Sequence, residues 1–212
     1  MDMVSEGMIA VWKPAGMSSH DVINRVRRAS GIRTVGHAGT LDPLARGVLV
    51  IGVGRTATRQ LATEVQKEKE YVTTVRLGMT SSTDDEEGEK TSHEVAVIPL
   101  REAVDAAVQK FVGEILQVPP IYSALKIKGK PAYAYAREGK NVEMKARPVT
   151  VKEMEVLSYD YPDIRVRAVT GAGVYVRSLA HDIGASLGTG AYMADLERTR
   201  VGEFTKEKCV IL

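Results

Sequence analysis

A single chain of mixed strands and helices is the fold class this sequence predicts, and three observations predict it. Short apolar runs bounded by polar or glycine-rich segments recur at residues 8–12 and 48–53, and such runs read as buried strands. Residues 69–77 and 163–170 alternate apolar with polar, the period of a half-buried strand. Residues 18–30 and 99–111 instead carry the 3.6-residue apolar period of amphipathic helices.

Taken in order, the strand at 8–12 runs into Lys13-Pro14-Ala15-Gly16. Ser18 or Ser19 caps the helix that follows, which carries Val22, Ile23, Val26 and Ala29 on one face. Arg25, Arg27, Arg28 and Arg33 lie on or just after it, as a solvated face would. The chain is organised around residues 36–52, GHAGTLDPLARGVLVIG. Asp42 precedes Pro43, and a residue before proline is pushed towards extended geometry, so its carboxylate stands on a stiff backbone beside the strand at 48–53. Gly52-Val53-Gly54 is no dinucleotide fingerprint, because the third glycine and the distant acidic residue are missing. Residues 56–66 read as a short helix, and Lys69-Glu70-Tyr71 opens the next strand.

Residues 79–90 are polar and acidic and read as a loop ending in a turn at Gly88. Asp84 and Asp85 lack the spacing of a calcium loop, so a solvated turn is expected. The helix at 99–111 places Leu100, Ala103, Val104, Ala107, Val108 and Phe111 on one stripe. Between Tyr122 and Lys152 basic residues (Lys126, Lys128, Lys130, Arg137, Lys140, Lys145, Arg147) interleave with Tyr122, Tyr133 and Tyr135, the pattern of an RNA-facing insertion. Residues 149–159 and 163–170 form two strands about a turn, and a helix runs on to Leu187.

Composition narrows the function classes. A chain of 212 residues can bury a real core, and its net charge of +2 means that any nucleic-acid site must come from local clustering. One cysteine, Cys209, excludes an internal disulfide, and the four histidines have no ligand spacing, so no metal is expected. The apolar run at 8–12 is too short for a signal or a membrane span, and a cytoplasmic protein is expected.

GHAGTLDPLARGVL resembles the signature of the TruB family of pseudouridine synthases, close to GHxGxLDPxAxGxL. WKPAGMSSHDV is similar to the family's first motif, KPxGxxS before a helix. KEYVTTVRLG, the segment IYSALKIKGKPAYAYAREGKNVEMKARP, GAGVYVR and LERTRVGEF match further family segments, so the likeness covers about residues 8–208. The resemblance implies an α+β pseudouridine synthase fold, with a mixed, mostly antiparallel central sheet flanked by helices and a catalytic cleft. It implies one catalytic domain over 1–212 with an RNA-gripping insertion at about 122–148; longer family members continue into a C-terminal PUA domain, and in departure from them none is expected within these 212 residues. Catalysis falls on Asp42. His37, Tyr71, Tyr175, Arg177 and Leu196 become substrate-binding residues, Arg177 as the cation paired with the aspartate and Leu196 as a wall of the uracil pocket. Lys13, Arg59, Lys126, Lys128, Lys130 and Arg147 are the RNA-contacting set.

The reaction so implied breaks the N1–C1′ bond of the T-loop uridine at position 55 of tRNA, turns the base and rejoins it through C5. No group is imported, so no cofactor is expected. An aspartate is ionised at neutral pH without a general base. Whether Asp42 attacks C6, attacks C1′ or abstracts a ribose proton stays open, as does the acceptor of the C5 proton. The uridine must be flipped out, and His37 is a candidate to take the vacated stacking place. The partner expected is tRNA through its T-arm, the protein acting as a monomer with no obligatory protein partner and no membrane. Two other readings exist. Guide-RNA-dependent relatives usually carry GHSGTLDPxVxG, and Ala45 favours the stand-alone bacterial type. A catalytically silent RNA chaperone is argued against by the intact residue set.

Overall fold

The structure, a computed structural model, describes residues 5–140 and 142–210. In chain order the elements are β1 (Gly7–Lys13), α1 (Ser19–Ser30), β2 (Val35–Ala38), β3 (Arg46–Val53), α2 (Arg55–Gln66), β4 (Lys69–Leu77), β5 (Met79–Ser81) and β6 (Lys90–Ser92). There follow α3 (Arg101–Gln109), β7 (Gly113–Gln117), β8 (Lys126–Ile127), β9 (Lys130–Pro131), α4 (Ala132–Arg137), β10 (Arg147–Asp160) and β11 (Asp163–Thr170). The chain closes with α5 (Val176–Leu187), β12 (Ala191–Val201), β13 (Phe204–Thr205) and β14 (Cys209–Val210). The class is α+β with a mixed sheet, as expected.

These elements gather into two compact units. The first holds residues up to 72, 169–172 and those from 196 on. Its strands run in the order β14-β1-β3-β12, with β2 on β3 and β13 on β12. The pairs β1·β14 and β3·β12 are parallel, while β1·β3, β2·β3 and β12·β13 are antiparallel. β3 is covered on both faces, which is why its sequence is a continuous apolar run rather than an alternation. Val11, Leu49, Ile51 and Val53 meet Val22, Ile23 and Val26 of α1 on one side. Val48 and Val50 meet Ala10, Leu61 and Val65 on the other. α1 starts at a capping box: Asp21 N donates to the Ser18 hydroxyl, and the Asp21 carboxylate accepts from Ser18 N.

The second unit holds residues 73–168 and 173–195. Its strand order is β12-β4-β11-β10-β7, the β10·β7 pair being antiparallel. α3 lies along β10, held where Gln109 Nε2 donates to Met154 O (2.7 Å) and Arg101 Nη2 to Val156 O (2.7 Å). The buried core here includes Val104, Val108, Ile164, Val166, Leu179, Ile183 and Met193.

Three details differ from the sequence reading. α3 starts at Arg101, so Leu100 is its cap and stands 74% exposed, and Ala103 is exposed too; the buried stripe is Val104, Ala107 and Val108. Residues 79–92 are not all loop, because β5 and β6 pair as a short ladder. β7 and β12 are strands that the sequence reading leaves undescribed.

Candidate active site

The turn between β2 and β3 is tied down in the first unit at the residues that flank Asp42. Lys13 Nζ donates to Pro14 O (3.0 Å), Met17 O and Pro43 O (3.2 Å). Gly16 N donates to the same Pro43 O at 2.8 Å. On the other side of Asp42, the Ser19 hydroxyl accepts from Leu41 N and donates to Leu41 O, both at 2.9 Å. Ala45 N closes the turn on Asp42 O at 3.1 Å. Each such bond contributes about 1 kcal/mol net. Their joint effect is to fix the backbone on both sides of a half-buried carboxylate.

This placement corrects one expectation. Lys13 is fully buried, its ammonium engaged by three carbonyl oxygens, so it is a support of the turn and not a phosphate contact. Burial pushes its pKa down to about 8, with Asp42 and Asp21 pulling it up and Arg198 pushing it down.

Sequence reasoning also missed Arg198, on β12, whose guanidinium is completely buried. Its Nε donates to Val48 O (2.8 Å) and its Nη2 to Gly39 O (3.0 Å), and the Tyr71 phenol beside it favours its charged form. Gly47 explains how the strands come so close. It sits at φ +124°, beside Arg198 in the β3·β12 register, and a Cβ there would lie 2.2 Å from Arg198 O. The neighbouring Lys69 is buried and donates to Val65 O and Lys67 O; burial brings its pKa down to about 8 as well.

Tyr71 and Leu196 are both buried in this unit. His37 is half-buried on β2, and burial, followed by Arg198 and His20, holds its pKa below the ordinary value. Its Nδ1 is buried without a hydrogen-bond partner among the described residues.

The second unit places Tyr175, Arg177 and Arg147. Gln117, at the end of β7, holds the backbone of Tyr175 with both ends of its amide: Tyr175 N donates to Oε1 (2.8 Å) and Nε2 donates to Tyr175 O (3.1 Å). Arg177 follows on α5, 6% exposed. It donates to Tyr122 O (2.8 Å) and Thr83 O (3.2 Å) and faces the Asp85 carboxylate at 3.4 Å. The acidic segment is therefore not a solvated turn throughout. Asp85 is 3% exposed and also accepts from Thr83 Oγ1 and Glu87 N, while Asp84 bonds His181. A buried carboxylate needs such partners, and Arg177 lies too far along the chain for the sequence to pair them.

Of the basic set, Lys126 and Lys128 are exposed on the β8–β9 hairpin and Arg59 on α2. Lys130 instead pairs with Glu138 and lies over the Tyr135 ring, 4.9 Å from its centre. Arg147 stacks on Tyr175 at 5.2 Å and donates to Gly173 O (2.6 Å). Among the described residues no cluster of three His, Cys, Asp or Glu is placed to hold a metal, and no helix is long and apolar enough to cross a membrane.

Against known proteins, residues 27–176 match the TruB family pseudouridylate synthase N-terminal domain, and residues 177–212 match the tRNA pseudouridylate synthase B C-terminal domain. The tRNA pseudouridine synthase B of Thermobifida fusca (strain YX) is 48% identical over 217 residues, covering 99% of this chain and 74% of that one. That of Clostridium novyi (strain NT) is 43% identical over 206 residues, covering 97% and 71%. Among solved structures, a chain of a Cbf5-Nop10-Gar1 complex is 31% identical with a TM-score of 0.76, covering 99% of this chain. A chain of an H/ACA RNP bound to a substrate RNA containing 2′-deoxyuridine is 29% identical with a TM-score of 0.71, covering 97%. The present chain spans about half the length of those two solved chains, 53% and 50%.

Proposed function

Since the chain belongs to the TruB family of pseudouridylate synthases, we propose that it is a tRNA pseudouridine synthase that isomerises the T-loop uridine at position 55. Asp42 is the catalytic group, and no cofactor takes part. The observation that carries this reading is the immobilised backbone around Asp42, held at Leu41 by Ser19 and at Pro43 by Lys13 and Gly16. A carboxylate that must meet one ribose–uracil junction works best on a backbone already fixed, because orientation then costs nothing at the moment of reaction.

The remaining residues take their parts from their surroundings. Tyr71, buried beside Arg198, offers a flat wall on which uracil stacks, and Leu196 lines the same pocket. His37, kept neutral by burial, suits the stacking place that the flipped base leaves, because a neutral ring loses less hydration there than an imidazolium. Tyr175 and Arg177 are the substrate-side aromatic and cation, each held at backbone or guanidinium by its own partners. The RNA backbone meets Arg59, Lys126, Lys128 and Arg147, with Lys130 a weaker contributor because Glu138 already neutralises it. The protein acts as a monomer in the cytoplasm on the T-arm.

A guide-RNA-dependent reading has some support in the two structural neighbours from Cbf5 and H/ACA assemblies. Ala45 and the 43–48% identity to proteins named tRNA pseudouridine synthase B favour the stand-alone reading. The test is to incubate the purified chain with an unmodified tRNA transcript, without guide RNA or protein partner, and map pseudouridine. Product at position 55 alone supports the proposal. No product until a guide RNA is supplied would overturn it.

A further inference from the structure

Arg25 and Arg28 of α1 have no part in the site around Asp42, yet they line an open groove. Asp21, Asn24, Arg25 and Arg28 fall at i, i+3, i+4 and i+7, one helical face, while Val22, Ile23 and Val26 face the core. With Gly16 and Met17 they line a groove of about 330 Å³. The groove borders the Asp42 turn, because its wall residue Gly16 donates to Pro43 O at 2.8 Å.

Its chemistry is that of an anion site. Arg25 and Arg28 are exposed, and neither guanidinium makes a hydrogen bond among the described residues, although Arg25 lies near enough to Asp21 to act on its charge. The Asn24 carbonyl oxygen accepts from Arg27 Nη1 (3.1 Å), which leaves its amide NH₂ as a third donor. Asp21 is the one acid on this face, and its carboxylate is taken up by the Ser18 amide and hydroxyl at 3.0 and 2.6 Å. That negative charge at the start of the helix directs an incoming anion towards the Arg25–Arg28 end. Two guanidinium forks beside an amide match the oxygens of a phosphodiester. A nucleotide pulled out of its stack must also be held through the backbone on either side of it.

We propose that the α1 groove is a phosphodiester site for the substrate RNA, in which Arg25, Arg28 and Asn24 seat a backbone phosphate flanking the nucleotide that Asp42 acts on. This rests on the RNA-modifying reading above. The site lies on a different element from the basic insertion and needs no residue of the catalytic turn itself.

The test measures binding of an unmodified T-arm hairpin against salt for the wild type, the Arg25→Ala/Arg28→Ala variant, and Arg165→Ala as a control for losing an exposed charge on β11. The double variant should bind more weakly, and its log–log salt slope should fall by about 0.7–0.9, the value of one phosphate contact. The Arg25→Lys/Arg28→Lys variant should recover most of that slope, and Arg165→Ala should keep all of it. A double variant with wild-type slope and dissociation constant overturns the groove while leaving the enzyme reading intact. A lysine variant that recovers nothing removes the charge account, and so the proposal. Saturable binding of inorganic phosphate that the double variant loses, with an unchanged hairpin slope, would assign the groove to a free anion and refute the RNA assignment. A wild-type protein that neither binds nor converts the hairpin would instead sink the RNA-modifying reading on which the groove depends.

Discussion

At the scale of single residues, two buried cations, Lys13 and Arg198, act on the backbone around Asp42. Lys13 titrates near 8, against an ordinary 10.5 for the unfolded chain. Between those values the unfolded chain binds a proton that the folded one does not, so this residue's contribution to stability rises with pH. Its support of the turn moves the other way, because an ammonium has three N–H groups for three carbonyls and a neutral amine has two. Single-turnover rate should therefore fall above about pH 8 while the urea midpoint does not. Lys13→Met should be slow throughout and lack that alkaline limb; a variant with the wild-type profile would rule Lys13 out as its source. Arg198→Met should leave Gly39 O and Val48 O without their donor, at about 1–3 kcal/mol each. Its single-turnover rate at permissive temperature should fall well before RNA affinity does. If only the melting temperature dropped, the positioning role would be gone. Neither cation was legible as such. A lysine or arginine is almost never fully buried, so nothing in the sequence sets Lys13 apart from the other RNA-contacting residues, and Arg198 is separated from Gly39 by more than 150 residues of chain.

At the scale of elements, the strands and helices with a clean period were legible: β1, β3, β4, β11 and α1 lie where the apolar pattern puts them, and α2 and α5 fall where helices are expected. β7 and β12 were not. GEILQ is short and half-exposed, and AYMADLERTRV carries four charged residues that mask a strand whose inward positions include an arginine. The acidic segment failed for a related reason, since pairing Asp85 with Arg177 requires tertiary structure. Gly47→Ala should cost at least about 2 kcal/mol, because the new methyl meets the Arg198 backbone and neither strand can yield without breaking its register. Thermal melting checks this, and an unchanged midpoint would mean the two strands are further apart than described. Replacing Lys126 and Lys128 by alanine should lower the salt slope of RNA binding by about 0.9 each on duplex or about 0.7 on single strand. Adding Lys130→Ala should change it less, because Lys130 is paired with Glu138. Equal effects from all three lysines would show that this ion pair opens when RNA binds.

At the scale of the whole molecule, the α+β class and the motif residues were legible because a few short motifs are spread over nearly the entire chain. The supports of the catalytic turn were not, since they come from β1, from α1 and from the distant β12. The molecule nonetheless divides its labour: chemistry on a single fixed carboxylate, affinity on basic groups elsewhere. That division is tested most directly by Asp42→Asn, which keeps the size and hydrogen-bonding reach of the side chain and removes its charge. The measurement pairs single-turnover pseudouridine formation on an unmodified tRNA transcript with the dissociation constant for the same RNA at one fixed salt concentration. The account predicts no detectable product and a dissociation constant within about threefold of wild type, under 1 kcal/mol. Wild-type-like product formation by Asp42→Asn would contradict it.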